Sequence, residues 1–194
     1  MKLSRLLLTA VISTLFVSCG AKWTTDYDAA VKAAQKKNRD IFLVFTGDDW
    51  TDNSIPFKEN ILNKKEFLSR YSKDYVFLNI DFSQGEFAKT KVADDASDAE
   101  KKAAEKIAAE YRRKEVLGRN YSVKVWPAVY LCSAEGYVLE QVIFDTDKDT
   151  ACTVEEYCGK VEAQRSKSAE LKVLVEAVRS AKGVEKAKAI DELV

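Results

Sequence analysis

The stretch IFLVFTGDDWTDNS, residues 41–54, decides the fold that the sequence predicts. It begins with five apolar residues, 41–45, a length and composition typical of a strand covered on both faces of a sheet. The polar residues that follow predict a short loop, and a helix is expected directly after Trp50. Because a strand buried on both faces needs helices on each side, the stretch indicates an α/β protein.

The sequence on either side alternates between helical and extended patterns. Helices are predicted for residues 23–38, 64–71, 94–116 and 153–165, and strands for residues 75–80, 128–132 and 137–144. The stretch 83–93 is expected to be a loop, and Ile107, Tyr111 and Val116 are expected to face inward from the helix 94–116. This order predicts a mixed sheet, in which a βαβ unit with parallel strands is followed by an antiparallel hairpin around Gly136.

The last part of the chain, residues 166–194, is rich in Ala, Lys, Glu and Val. Leu171, Leu174, Val175 and Val178 form a stripe at helical spacing, and Gly183 interrupts the pattern. We therefore expect a helical extension with an apolar surface for a partner.

The composition excludes several classes of protein. The chain has 194 residues, 46% of them apolar, with 31 basic against 31 acidic residues. This balance does not favour a nucleic-acid-binding protein, which would present a basic surface. There is no histidine, which excludes Ser-His and Cys-His catalysis and every metal site with a histidine ligand.

The N-terminus has the pattern of a bacterial lipoprotein signal peptide over residues 1–19. Lys2 and Arg5 precede an apolar run, residues 6–17, that is too short to span a membrane. The following Val17-Ser18-Cys19-Gly20 resembles a lipobox, although Phe16 stands where Leu is usual. The resemblance implies an exported protein whose Cys19 carries acyl chains such as palmitate and anchors it to the periplasmic or surface side of a membrane. An ordinary secretory signal with a nearby cysteine is the alternative.

Two motifs give the body of the chain a family resemblance. Phe45-Thr-Gly-Asp-Asp-Trp50 and Trp126-Pro127-Ala128-Val129 resemble elements of exported thioredoxin-like proteins, in which a strand ending before a Trp is followed by Cys-x-x-Cys, and a cis-proline precedes a later strand. The resemblance implies a thioredoxin-like three-layer α/β fold with a mixed central sheet over residues 22–165. It also implies a groove lined by Trp50, Trp126 and Pro127.

The chain departs from this family at the redox site. Thr51-Asp52-Asn53-Ser54 stands where Cys-x-x-Cys is expected, so hydroxyls replace both sulfur atoms at Thr51 and Ser54. Disulfide exchange needs a thiolate to attack and a second thiol to resolve the mixed disulfide, and a hydroxyl does neither. The two residues either cap a helix and fill space or contact a peptide held near Pro127. Asp48, Asp49 and Asp52 are expected to stabilise the start of that helix.

The aromatic residues near these motifs have two interpretations. Tyr121, Trp126 and Trp50 form either an exposed peptide-binding surface or part of the ordinary core.

Three cysteines remain beyond Cys19. Cys132 lies in an apolar strand and is predicted to be a core residue. If Cys152 and Cys158 both lay in one helix, their Cα atoms would be about 9 Å apart, too far for a disulfide. If Cys152 precedes the helix, a disulfide between them is feasible.

Four acidic residues have the spacing of calcium ligands. Asp145, Asp147, Asp149 and Glu156 fall at positions one, three, five and twelve of an EF-hand loop. Thr150 stands at position six, where that loop needs Gly for its sharp turn. A solvated acidic turn that caps the next helix is the favoured interpretation, and neither a metal nor another cofactor is predicted.

These observations together predict a lipid-anchored, redox-inactive binding or assembly module of the cell envelope with an unidentified protein or peptide partner. The alternative is an envelope thiol-disulfide oxidoreductase that uses Cys132, Cys152 or Cys158 in a geometry foreign to the family. A third hypothesis is a structural lipoprotein stabilised by Ca²⁺.

Overall fold

The structure is a computed structural model that describes residues 22–149 and 151–193. Its strands are β1 (Trp23–Thr24), β2 (Asp40–Thr46), β3 (Tyr75–Asp81), β4 (Ala128–Cys132) and β5 (Val138–Val142). Its helices are α1 (Tyr27–Lys37), α2 (Ser54–Phe57), α3 (Lys65–Tyr71), α4 (Gln84–Ala88), α5 (Asp98–Asn120), α6 (Thr146–Asp149), α7 (Val154–Ser180) and α8 (Gly183–Leu193). A π-helical segment, Lys58–Leu62, continues α2. The predicted signal peptide and Cys19 lie outside the described residues.

The five strands form one mixed sheet in the order β1-β3-β2-β4-β5. Strands β1, β2 and β3 are parallel, whereas β4 runs antiparallel to β2 and β5 antiparallel to β4. The prediction of a parallel βαβ unit followed by an antiparallel hairpin is therefore confirmed.

The first strand was not predicted. Residues 23 and 24 were assigned to a helix, but Trp23 pairs with Phe77 of β3 and the helix begins only at Tyr27. The start of α1 is set by Asp26, whose carboxylate accepts a hydrogen bond from the amide of Ala29 at 3.0 Å. The strand was missed because its pairing partner lies more than 50 residues away in the sequence.

Strand β2 divides the core into two halves, as its continuous apolar sequence predicts. Phe42 and Val44 are buried on the face covered by α2, α3 and α7. The other side of β2 packs against α1 and contains Ile41, Leu43, Phe45, Ala30 and Ala34. Helices thus cover both faces of the sheet, which is the three-layer arrangement.

The segment between β3 and β4 differs from the prediction. The expected loop contains the short helix α4, and α5 begins at Asp98 because Ser97 and Glu100 form a capping box there. Val116 was expected to face inward, but 44% of its surface is exposed. Only the last turns of α5 pack on the sheet, where Gly118 meets the ring of Phe82.

The helix predicted over residues 153–165 continues to Ser180. Its start is as expected, since Thr153 and Glu156 form a capping box. Ion pairs hold α7 to the rest of the fold along its length: Arg165 with Asp74, Lys172 with Asp40, and Arg179 with Glu135. The predicted domain and the predicted extension therefore share one helix, and the boundary between them at residue 165 stays a prediction.

No helix within the described ranges is both long enough and apolar enough to cross a membrane.

Candidate functional site

The site lies where β2 ends and the chain turns toward α2. The amides of Trp50 and Thr51 both donate to the carbonyl oxygen of Gly47, which folds the loop into a tight turn. Gly47 packs directly under the Trp50 indole, because a Cβ atom at this position would lie 2.4 Å from the ring. Only glycine leaves room for the indole in this position.

Trp50 is held in place although it is exposed. Its indole Nε1 donates to the carbonyl oxygen of Phe82 at 2.7 Å. Its ring meets that of Trp126 edge to face, with 5.6 Å between centroids. Yet 41% of the Trp50 surface remains accessible. The result is a rigid aromatic surface at the end of the sheet.

The Trp126–Pro127 peptide bond is cis, which agrees with the resemblance on which the groove was predicted. Pro127 is buried and Trp126 is half-buried, packed against Phe82 with 4.8 Å between ring centroids. The structure thus brings Trp50, Trp126 and Pro127 to one place. We call the surface formed by Trp50, Thr51, Ser54, Trp126 and Pro127 the groove.

Tyr121 does not belong to the groove, so the interpretation of three exposed aromatic residues is wrong for this one. Tyr121 is buried, and its hydroxyl donates to the carbonyl oxygen of Gly136 at 2.6 Å. Its ring packs against Phe45 and Tyr130. The hydrogen bond to the hairpin turn draws this side chain into the core.

Thr51, in the loop before α2, faces Ser54, the first residue of that helix. Their hydroxyl oxygens are 2.5 Å apart and share a hydrogen bond. The buried Ser54 hydroxyl also accepts from the amide of Gly47 at 3.1 Å. Among the described residues, neither hydroxyl has a carboxylate or amine partner, so nothing there acts as a base to activate it.

The three acidic residues around Trp50 do not cap α2, contrary to expectation. Asn53 is the cap residue of α2, and its side chain makes no capping hydrogen bond. Asp48 forms an ion pair with Lys58, and Asp52 is exposed.

Asp49 instead binds the start of α4. It accepts hydrogen bonds from the Ser83 hydroxyl and from the amides of Gln84 and Gly85 at 2.6–2.7 Å. These bonds, that of Ser83 first, lower the pKa of Asp49. The loop that carries Trp50 is therefore tied to the chain just after β3.

A polar network behind the loop was missed by sequence reasoning. Asp81 accepts hydrogen bonds from the Thr46 hydroxyl and from the amide of Asp48, each at 2.9 Å. Burial raises the pKa of the Asp81 carboxyl. Thr46 and Asp81 are paired in register at the ends of the neighbouring parallel strands β2 and β3. The polar residue at the end of each apolar run was the sequence signal from which this network could have been predicted.

The three cysteines of the described residues are free thiols, and none lies in the groove. Cys132 is fully buried between the sheet and α1, and burial raises the pKa of its thiol to about 12. Cys152 and Cys158 belong to the core on the opposite face, so the sheet separates them from Cys132. The disulfide considered between Cys152 and Cys158 is not formed, and the Cys152 thiol donates instead to the carbonyl oxygen of Asp149 at 3.3 Å.

The four candidate calcium ligands are not brought together. Asp149 is buried, pairs with Lys160 and accepts from the amide of Asp145 at 2.7 Å. Asp145 pairs with Lys148, Glu156 caps α7, and Asp147 is exposed. Within residues 22–149 and 151–193, no three acidic or cysteine side chains converge as metal ligands. The favoured interpretation of a solvated acidic turn is wrong for Asp149, which is buried, and the cap of α7 is formed by Thr153 with Glu156.

Comparison with known proteins agrees with this architecture. A family model described as thioredoxin-like matches residues 22–111. Among solved structures, one described as "DsbH Oxidoreductase" is similar, with a TM-score of 0.54 and 20% sequence identity, covering 84% of this chain and 94% of that chain. At this identity the similarity concerns the fold. No curated protein matches the sequence. The sheet order, the tryptophan loop and the proline motif agree with both comparisons, and the protein has a thioredoxin-like fold.

Proposed function

We propose that this protein is an exported lipoprotein in which a thioredoxin-like groove binds a peptide segment of a partner protein without exchanging disulfides. One observation carries the proposal: the hydrogen-bonded Thr51 and Ser54 hydroxyls occupy the redox positions of a groove that is otherwise intact. The partner is a protein or peptide of the cell envelope.

The loss of redox chemistry follows from the presence of oxygen instead of sulfur in the side chains at these two positions. A thiolate attacks a disulfide because sulfur is a good nucleophile and a good leaving group, with a pKa near neutrality when activated. The Thr51 hydroxyl has neither property, and its hydrogen-bond partner is another hydroxyl.

The remaining thiols are poor substitutes. Burial raises the pKa of the Cys132 thiol to about 12, and Cys158 is buried as well. The pKa of the more accessible Cys152 is also raised, first by burial and then by Asp149. The geometry therefore favours the binding module over the alternative of an oxidoreductase that uses these cysteines.

Binding is supported by the aromatic surface. Tryptophan residues that are both fixed and accessible are the typical anchors of protein interfaces, because little side-chain entropy is lost on binding. Trp50 is fixed by a hydrogen bond and by Trp126, and Ile55 and Val125, next to the groove residues in sequence, expose 45% and 54% of their surfaces. Such a surface suits an apolar segment of a partner.

Export and anchoring rest on the N-terminal sequence. The charged and apolar segments before Cys19 support a signal peptide, and the lipobox-like residues support acylation. Two acyl chains are enough for stable anchoring to a membrane.

The binding proposal is tested by crosslinking in envelope extract. A photoreactive group introduced at Val125 should capture a discrete partner, and capture should fall at least fivefold with Trp50→Ala or with Ile55→Asp. Tyr137→Ala, an exposed aromatic residue on the β4–β5 turn, serves as the matched control and should leave capture unchanged. Equal capture by all variants would show that the groove does not bind the partner.

A further inference from the structure

A second concavity lies apart from the groove. It is a cleft of about 1270 Å³ between the first turn of α1, the end of β3, and helices α4 and α5. None of the five groove residues lines it. Small-molecule sites usually measure about 300–1,000 Å³, so this cleft has room for a short chain of residues.

Polar contacts of one lysine fix the position of α5 at the edge of the cleft. Lys114 of α5 donates to the carbonyl oxygen of Asp81 at 3.0 Å and forms an ion pair with Glu86 of α4. These contacts tie α5 to the end of β3. Residues of α5 that precede Lys114 in sequence form one wall of the cleft. The exposure of Val116 now has an explanation, since Val116 is part of that wall.

Part of the cleft lining is apolar. Tyr27 of α1 and Leu117 of α5 are half-buried there, beside the polar residues Asn79 and Asp81 of β3. This surface gives an occupant contact area without a fixed pattern of hydrogen bonds.

The two walls carry opposite charge. On the side of α4 and α5 stand Lys89, Arg112 and Arg113, opposed there only by Glu110 because Lys114 and Glu86 neutralise each other. On the side of α1 stand Asp26 and Asp28.

The charges on these walls have few partners of their own. Within the described residues, the side chains of Lys89, Arg112 and Arg113 have neither a hydrogen-bond nor an ion-pair partner. The same is true of the Asp28 carboxylate. No ion pair joins the two walls within those residues, so charges of both signs remain available to a ligand.

We propose that this cleft binds a short peptide with free ends. Its carboxylate would pair with the planar guanidinium groups of Arg112 and Arg113, which suit two-pronged hydrogen bonding to a carboxylate. Its ammonium group would lie against Asp28, and its apolar side chains against Tyr27 and Leu117. This proposal is independent of the groove, because none of the residues assigned to the peptide contacts in the cleft belongs to the groove.

Calorimetric titration of the full chain in a mild detergent tests the proposal. The probe is the hexapeptide Ala-Leu-Ser-Ala-Leu-Ala with free ends, compared with the same peptide acetylated and amidated. We expect saturable binding of the free peptide and at least tenfold weaker binding of the blocked one, since both charged contacts are then lost.

Variants locate the binding. Arg112→Gln with Arg113→Gln should weaken binding of the free peptide at least tenfold, and Asp28→Asn should weaken it about threefold or more. Lys102→Gln with Lys106→Gln, a pair of exposed residues on the same helix outside the cleft, should change it less than twofold. Trp50→Ala should not change it either, which separates this site from the groove. Absence of saturable binding, equal binding of the blocked peptide, or full affinity in the arginine variant would overturn the proposal.

Discussion

Replacing Thr51 and Ser54 by cysteine should install the disulfide that the family carries. The two hydroxyl oxygens are 2.5 Å apart across one turn, and the sulfur atoms of a disulfide are about 2.05 Å apart on longer bonds to carbon. The backbone of the loop is therefore already placed for the bond. We expect the double variant to oxidise without rearrangement of the fold.

The size of the effect follows from the loop. Closing a four-residue loop removes about 2 kcal/mol of conformational entropy from the unfolded chain at 25 °C. For a chain of this length that corresponds to a difference of roughly 4–8 °C in Tm between the oxidised and reduced double variant. Relative to the natural protein the gain is smaller, because sulfur accepts the hydrogen bond from Gly47 less well than the Ser54 oxygen, at a cost of about 1 kcal/mol.

Two assays check the reasoning. Differential scanning calorimetry with and without reductant measures the shift in Tm, and insulin reduction measures disulfide exchange, with Thr51→Cys alone as the matched control. The double variant should reduce insulin, whereas the natural protein should not. A double variant that never forms the intramolecular disulfide would refute the placement of the hydroxyl pair. Turnover by the natural protein that disappears when Cys132, Cys152 and Cys158 are replaced would refute the loss of redox function.

Three further changes probe the network, the loop and the anchor. The pKa of Asp81 is raised by burial, so its folded form binds a proton more tightly than the unfolded form, and its contribution to stability falls as the pH rises through the folded pKa. Asp81→Asn should therefore flatten the fall in stability as the pH rises above about 4 in urea unfolding; an unchanged pH profile would contradict this. Gly47→Ala should displace the indole of Trp50 and shift its fluorescence to longer wavelength, since a Cβ atom would lie 2.4 Å from the ring; an unshifted spectrum would count against the packing. Cys19→Ala should abolish incorporation of labelled palmitate and release the protein from the membrane fraction, whereas Cys152→Ala should do neither.

The parts of the fold that sequence predicted are those encoded by continuous local patterns. The apolar runs of β2 and β3 and the capping box at Thr153 each specify an element without help from distant residues. Strand β1 escaped prediction because two residues carry no periodicity, and Trp23 becomes a strand residue only by pairing with Phe77. The helical stripe over residues 171–178 and the break at Gly183 were predicted correctly, but the continuity of α7 from Val154 to Ser180 was not.

The site likewise divides into residues predicted from local motifs and residues whose surroundings depend on distant parts of the chain. Trp50 and Pro127 were predicted because each lies in a short recognisable motif. The place of Tyr121 was left open between surface and core because its environment depends on a hydrogen bond to Gly136 in the hairpin turn. The network at Asp81 was missed for a related reason, since it forms only when two parallel strands end in register.

The groove keeps its shape without its sulfur atoms because the replacements are hydroxyl residues. The buried Ser54 oxygen still accepts from the Gly47 amide, and that amide would otherwise be an unsatisfied donor costing about 1–3 kcal/mol. Through Gly47 the same bond fixes the turn on which the Trp50 indole rests. Under the proposed function, the hydroxyl groups of Thr51 and Ser54 therefore exclude thiol-disulfide exchange but preserve the loop and the aromatic surface, whose rigidity keeps the entropic cost of binding low.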